Sequence, residues 1–239
     1  MIKRQEITYS HEGMQFQGYY AFDDTLIGKR PAVMVAHDWS GKNPLACHKA
    51  DKLAELGYVG FALDMFGEGK TGTTKEEKMV LIEPLMKDRS LLQKRIGAAF
   101  EAVKNLETVD THRIGAIGFC FGGLCVLDLA RSGAAVSGVV SFHGLLNSQG
   151  HALKNQIKAK ILALHGFDDP MVKPDQVIAF GEEMTRAKAD WELNMYGNTM
   201  HGFTNPEAND PSFGTVYNKQ SDMRSWIAME NFFSEVFKR

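Results

Sequence analysis

The chain has 239 residues, of which 44% are hydrophobic and 23% charged, with a formal net charge of −2. A chain of this size can bury a core of its own, removing roughly 70–75% of the unfolded surface without staples, and its balanced charge gives no reason to expect a nucleic-acid partner. Residues 1–6 lack the apolar run of a signal peptide, and no stretch is apolar for long enough to span a bilayer.

In chain order, residues 5–22 contain alternating stretches around His11-Glu12-Gly13, the pattern of an antiparallel hairpin. Residues 32–36 (Ala-Val-Met-Val-Ala) form a continuous apolar run, as in a strand buried on both faces. Residues 44–56 carry helical spacing (Leu45, Lys49, Leu53, Leu56), with Gly57 where a C-terminal cap belongs. A strand at 58–63, a Gly-rich loop and one helical stretch from 75 to 106 follow. Strands are then expected at 113–119, 136–142, 159–164 and 191–196, with helices at 122–130 and 176–187. A polar segment separates the strands at 136–142 and 159–164. The tail, 221–237, puts Met223, Trp226, Ile227, Phe233 and Phe237 on one helical face. Strand–helix alternation after an N-terminal hairpin predicts one α/β domain over residues 1–239, with a mostly parallel sheet covered by helices on both faces. In such sheets ligands bind beyond the carboxyl ends of the strands.

Three cysteines are present, Cys47, Cys120 and Cys125. Cys120 and Cys125, five apart at the mouth of a helix, point to different faces and would pair poorly. An odd count without Cys-x-x-Cys or a secretion signal favours reduced thiols and a cytoplasmic location. Cys47 and Cys125 read as small buried hydrophobes.

Gly118-Phe119-Cys120-Phe121-Gly122-Gly123 follows a buried strand and opens a helix. This is the nucleophile-elbow pattern with cysteine in place of serine. The strained turn needs small residues at 118 and 122 so that neighbouring backbone can approach. The helix then aims its amides and positive dipole end at the sulfur. A dinucleotide loop would sit early in a βαβ unit, whereas this motif lies mid-chain. Two later strands also end in chemistry-bearing loops. One is His165-Gly166-Phe167-Asp168-Asp169-Pro170-Met171-Val172, the other Tyr196-Gly197-Asn198-Thr199-Met200-His201-Gly202-Phe203. Nucleophile, acid, base is the α/β-hydrolase chain order. Pro170 biases Asp169, rather than Asp168, toward extended backbone angles.

Gly-x-Cys-x-Gly-Gly, Asp169-Pro-x-Val and His201-Gly-Phe resemble the dienelactone hydrolase (carboxymethylenebutenolidase) family over nearly the whole chain. The resemblance implies an α/β-hydrolase fold and cleavage of a small ester or lactone. It implies a triad of Cys120 as nucleophile, His201 as base and Asp169 as orienter, with an oxyanion hole from the backbone N–H groups of Phe121 and Trp39. The family carries a glutamate just before the latter donor, thought to keep the resting thiol neutral; here Asp38 stands there, one methylene shorter. The family also has an arginine four residues after the histidine, where this chain has Asn205, so Arg89 is the candidate to replace it. Arg89 and Phe203 are candidates for substrate contact. No cofactor is implied.

His37, His143, His165 and His201 lie near strand ends, yet no zinc-ligand spacing accompanies them. No metal is expected, and the first three read as partners for loop backbone groups. Gly67-Glu68-Gly69-Lys70-Thr71 looks like part of a phosphate loop, but Asp64 occupies the position of its first glycine, which leaves a surface loop. Met79, Leu81, Met86, Leu91 and Leu92 read as packing surface. Two other function classes fit the same elbow: a thiol redox sensor using Cys120, and a catalytically silent binding protein. Oligomeric state is not legible in the sequence.

Overall fold

A computed structural model of the chain describes residues 1–150 and 156–238. Part of the polar segment expected between residues 142 and 159 lies outside them. The chain packs as two compact units, Met1–Ile117 and Gly118–Arg239.

The first unit begins with a hairpin, β1 (Ile2–His11) and β2 (Met14–Asp23), in continuous antiparallel register from Ile2 opposite Asp23 to His11 opposite Met14. Next come β3 (Arg30–Ala36), α1 (Pro44–Glu55) and β4 (Val59–Ala62). The strand order is β1-β2-β4-β3-β5, where β5 (Val109–Phe119) carries the chain out of the unit. β2 runs antiparallel to β4, and β4 runs parallel to β3. The run at 32–36 is fully enclosed, as a strand apolar on both faces must be. α1 starts where the side chain of Asn43 accepts from Ala46 N–H and Pro44 takes the first turn, which has no use for its missing N–H.

The helical stretch expected from 75 to 106 is two helices, α2 (Lys75–Lys87) and α3 (Arg89–Lys104). Asp88 leaves the helical region, ends α2, and caps α3 by accepting from Leu91 N–H at 3.0 Å. The side-chain hydrogen bond of a cap replaces the ladder bond that continuation would supply, so the helix restarts in a new direction. α2 opens on a capping box between Thr74 and Glu77 and buries only Leu85. Met79 is exposed, whereas Leu92 is core.

The Gly-rich loop after β4 is not simply a surface loop. Asp64 is fully buried and its carboxylate accepts from the N–H groups of Gln17, Phe66, Gly67 and Gly69 at 2.9–3.1 Å. Amides that a phosphate loop would offer to a phosphate are here spent on a side chain of the same loop. Glu68, Lys70 and Thr71 are exposed, whereas Gly67 is buried.

The second unit holds α4 (Phe121–Arg131), β6 (Gly138–Phe142), β7 (Lys160–Gly166), α5 (Pro174–Ala187), β8 (Trp191–Tyr196), a small ladder of β9 (Asn209–Asp210) and β10 (Thr215–Val216), and α6 (Lys219–Val236). β6, β7 and β8 are parallel and in step, Phe142 beside Leu164 and Gly166 beside Tyr196. That register brings the loops after all three strands to one end of the sheet. On α6 the core face is Ser221, Ser225, Trp226, Met229 and Phe233. Met223 and Ile227, expected on that face, are exposed, because the buried stripe steps 226, 229, 233 and they fall on the other side of Trp226 from Met229, by about 60° and about 100°.

Candidate active site

The elbow is built from close backbone approaches. β5 ends at Phe119, α4 begins at Phe121, and Cys120 between them has φ +55° and ψ −116°. A non-glycine residue in that region is strained and persists only when its surroundings over-determine it. They do so here. Cys120 N–H donates to Phe142 O at 3.0 Å and to His143 Nδ1 at 3.2 Å, while Cys120 O accepts from Gly123 N–H at 3.0 Å. A side chain at position 118 would collide with the Gly122 carbonyl, and one at 123 would come within 2.6 Å of the Gly144 Cα and Ser141 Oγ. The glycine at 123 as well as that at 118 is therefore required. The carbonyl of Gly122 is what position 118 must accommodate.

Cys120 is half-buried and Cys125 buried, both as free thiols. Cys47, also free, is half-buried rather than enclosed, and burial pushes its thiol up despite Lys42 nearby. Phe121 is the first residue of α4, so its N–H belongs to the helix's unladdered first turn.

The loop after β7 brings Asp169 into a buried position with its carboxylate fully used. Oδ2 accepts from His201 Nδ1 at 2.8 Å, and Oδ1 from Met171 N–H at 2.8 Å. Asp168, its neighbour, is exposed. His201 is 1% exposed, and its backbone is clamped by bonds to the segment entering β10, His201 N–H to Gly214 O and Val216 N–H to His201 O. With Nδ1 committed to Asp169, Nε2 is enclosed, and the Cys120 sulfur lies near enough to act on the ring's charge. Burial disfavours the imidazolium, but the Cys120 sulfur and the Asp169 carboxylate outweigh it and hold His201 well above the ordinary histidine value, at about 10. The three residues of the triad pattern are thus together in one unit.

The other histidines do serve backbone groups. His143 Nδ1 accepts from Cys120 N–H, and its Nε2 bonds Thr204 Oγ1 at 2.8 Å. His165 is buried close to Asp169 and His201; burial lowers it below the usual value, and the Asp169 carboxylate pulls the other way. His37, in the first unit, donates from Nδ1 to Asp38 O at 2.6 Å and accepts from Met65 N–H at Nε2, at 3.1 Å. Asp38 O belongs to the same peptide group as Trp39 N–H, so His37 fixes that peptide plane. The Asp38 carboxylate accepts from Ser40 N–H at 2.8 Å, and the Trp39 ring carries Lys78 over its face.

Arg89, at the start of α3, is buried. Phe203 is entirely enclosed, its ring edge-on to His143 at 5.0 Å and to Tyr196 at 5.7 Å. Its surroundings are protein on every side, so what it touches is the back of His143. Asn205 Oδ1 is engaged by Glu207 N–H. Among the described residues no three His, Cys, Asp or Glu side chains converge as a metal-ligand set, and no helix is long and apolar enough to cross a membrane. The Thr199–Ser221 hydroxyl pair, 2.8 Å apart, which ties the histidine loop to α6, had no sequence signal.

Residues 16–237 match the model of the dienelactone hydrolase family. Among solved structures, m3DLH is 36% identical with a TM-score of 0.95, covering 99% of both chains. A dienelactone hydrolase-like promiscuous phosphotriesterase from metagenomic libraries is 34% identical, TM-score 0.94, again over 99% of both chains. A Caenorhabditis elegans protein of uncharacterized function is 39% identical over 149 residues, 61% of this chain and 94% of that one. A family match spanning most of the chain, and two structures alike along its whole length, identify it as a member of the dienelactone hydrolase family, an ester or lactone hydrolase of the α/β-hydrolase fold.

Proposed function

We propose that the chain hydrolyses small esters or lactones through a Cys120–His201–Asp169 triad and a thioester acyl-enzyme. The observation that carries this is the buried Asp169–His201 bond beside a cysteine held at a strained elbow. His201 takes the Cys120 thiol proton at Nε2. The thiolate adds to the carbonyl, and the amides of Phe121 and Trp39 receive the oxyanion. Trp39 takes that role from the family pattern. Collapse of the adduct expels the alkoxide, which takes the Nε2 proton of His201 and leaves as the alcohol. Neutral His201 then removes a proton from water, the hydroxide opens the thioester, and the acid departs as the proton on His201 returns to the sulfur. No step uses a cofactor.

Asp38 is the candidate gate on the resting sulfur, with one oxygen occupied by Ser40. Arg89 is the cationic candidate for a substrate carboxylate, and Phe203 acts from behind, through His143. Free thiols at all three cysteines support a cytoplasmic location. Aryl dialkyl phosphates are a second substrate class, on the likeness to the phosphotriesterase.

The test is a panel of aryl esters, lactones, thioesters and aryl dialkyl phosphates, run with wild type and Cys120→Ala. The reading requires ester or lactone turnover that Cys120→Ala abolishes. Turnover retained by Cys120→Ala, or a wild type inert on the whole panel, sinks it, the latter in favour of a redox or binding role.

A further inference from the structure

A strained nucleophile and a base on a separate loop must be kept in register. His143 stands between them. It follows β6 with φ +39°, is 3% exposed, and touches both sides of the site. On one side its Nδ1 accepts from the backbone N–H of Cys120 at 3.2 Å. On the other its Nε2 bonds the hydroxyl of Thr204, itself buried, three residues beyond His201, at 2.8 Å. Its ring lies edge-on to His201, centroids 5.1 Å apart and planes at 63°, with Phe203 behind it at 5.0 Å.

The hydrogen bonds define the tautomer. An amide N–H pointing at Nδ1 makes that nitrogen the acceptor, so the proton sits on Nε2 and Thr204 Oγ1 receives it. The ring is thus a rigid spacer with an acceptor toward the nucleophile and a donor toward the base loop. Its own segment is fixed independently, since His143 N–H donates to Leu164 O at 2.8 Å. The wall it offers His201 keeps the imidazole in the plane that Asp169 sets. Positive φ at both Cys120 and His143 is what a segment shows when surrounding contacts hold it against its own preference.

We infer that His143 is a positioning residue for the reaction: a neutral imidazole bridging the Cys120 amide and the Thr204 hydroxyl sets the geometry between the elbow and His201. This rests on the triad reading. His143 holds the Cys120 amide on one side and the Thr204 hydroxyl on the other, so it acts through the alignment of Cys120 and His201. A misplacement of about 1 Å costs on the order of 100-fold in rate. Loss of the bridge therefore falls on kcat and leaves KM in place.

Three variants, assayed on one aryl ester with circular dichroism as a check on folding, test it. His143→Phe keeps a flat ring against His201 and Phe203 but has neither acceptor nor donor. Its kcat is expected to fall about 30- to 100-fold with KM within twofold. His143→Gln retains one acceptor and one donor on a shorter side chain and should recover at least tenfold of that loss. Thr204→Val, nearly isosteric, removes only the far partner and should lose about 5- to 10-fold in kcat. A folded His143→Phe with kcat within threefold of wild type overturns the inference, as does a loss carried by KM, or one that His143→Gln does not relieve. If His143→Phe fails to fold, Thr204→Val decides, and an unchanged kcat there is equally fatal. Cys120→Ala runs alongside. Activity retained in that variant refutes the triad and the inference with it, whereas a dead Cys120→Ala beside a normal His143→Phe refutes the inference alone.

Discussion

Replacing Asp169 by asparagine exchanges one oxygen for an NH2 group and should cost most of the activity. The carboxylate serves Met171 N–H with one oxygen and His201 Nδ1 with the other, both at 2.8 Å. Asparagine can keep its oxygen on Met171, but its NH2 then faces Nδ1. Nδ1 must become the acceptor, the single imidazole proton moves to Nε2, and the neutral ring can no longer take a proton from water. The lost charge adds to this. A unit ion pair about 4 Å apart is worth about 4 kcal/mol at an effective dielectric near 20. At about 1.4 kcal/mol per decade, a loss of 3–4 kcal/mol is about 10²–10³ in kcat/KM. The carboxylate is also one of the influences holding His201 up at about 10. Without it the imidazolium should give way to the neutral ring at lower pH. Asp168→Asn is the control, since Asp168 is exposed and its substitution should stay within about 0.5 kcal/mol. Both variants would be assayed for p-nitrophenyl ester hydrolysis across pH 5–10, with circular dichroism to confirm folding. A well-folded Asp169→Asn within tenfold of wild type, or an inactive Asp168→Asn, would refute the reasoning.

Asp38→Asn should accelerate inactivation by iodoacetamide at neutral pH about two- to fivefold, because a carboxylate near the sulfur opposes its negative charge; an unchanged rate means the side chain does not reach the sulfur. Dienelactone should be a poorer substrate, by kcat/KM, than neutral aryl esters of similar size, since Asn205 cannot form the bidentate arginine contact and is occupied by Glu207 N–H; the reverse ranking contradicts this. Asp64→Asn should destabilise the fold by on the order of 4 kcal/mol, because one of two carboxylate oxygens is lost and two of four amides face an NH2 instead. The urea midpoint measures that, and a shift worth under about 1 kcal/mol would show that the loop does not depend on the carboxylate.

Much of the site was legible because its signals are local. A buried β-run followed by Gly-x-Cys-x-Gly-Gly allows few backbone courses, and Asp169-Pro170 and His201-Gly202 each lie in the loop after a strand, one a continuous apolar run and the other an alternating one. What the sequence hid is non-local or depends on direction. The break at Asp88 was masked because apolar spacing continues through Leu85, Leu91, Leu92 and Ile96, although Pro84 and a capping aspartate were in view. Met223 and Ile227 are four apart, as core residues often are, but on α6 the core stripe runs one step round from them. The Asp64 cradle has no pattern at all, because Gln17, which completes it, lies 47 residues away. His143 was legible as a backbone partner. Its link to Thr204 spans 61 residues and could come only from the fold.

The most direct test of the central claim is to look for the acyl group on sulfur. The enzyme would be mixed with excess p-nitrophenyl acetate, quenched in acid within the first turnovers, digested at low pH and examined by mass spectrometry. The account expects a burst of p-nitrophenol approaching one equivalent and a single acetylated peptide, the one containing Cys120, with Cys47 unmodified. A burst with the acetyl group on Cys47 or on no cysteine, or turnover that persists in Cys120→Ala, would contradict it.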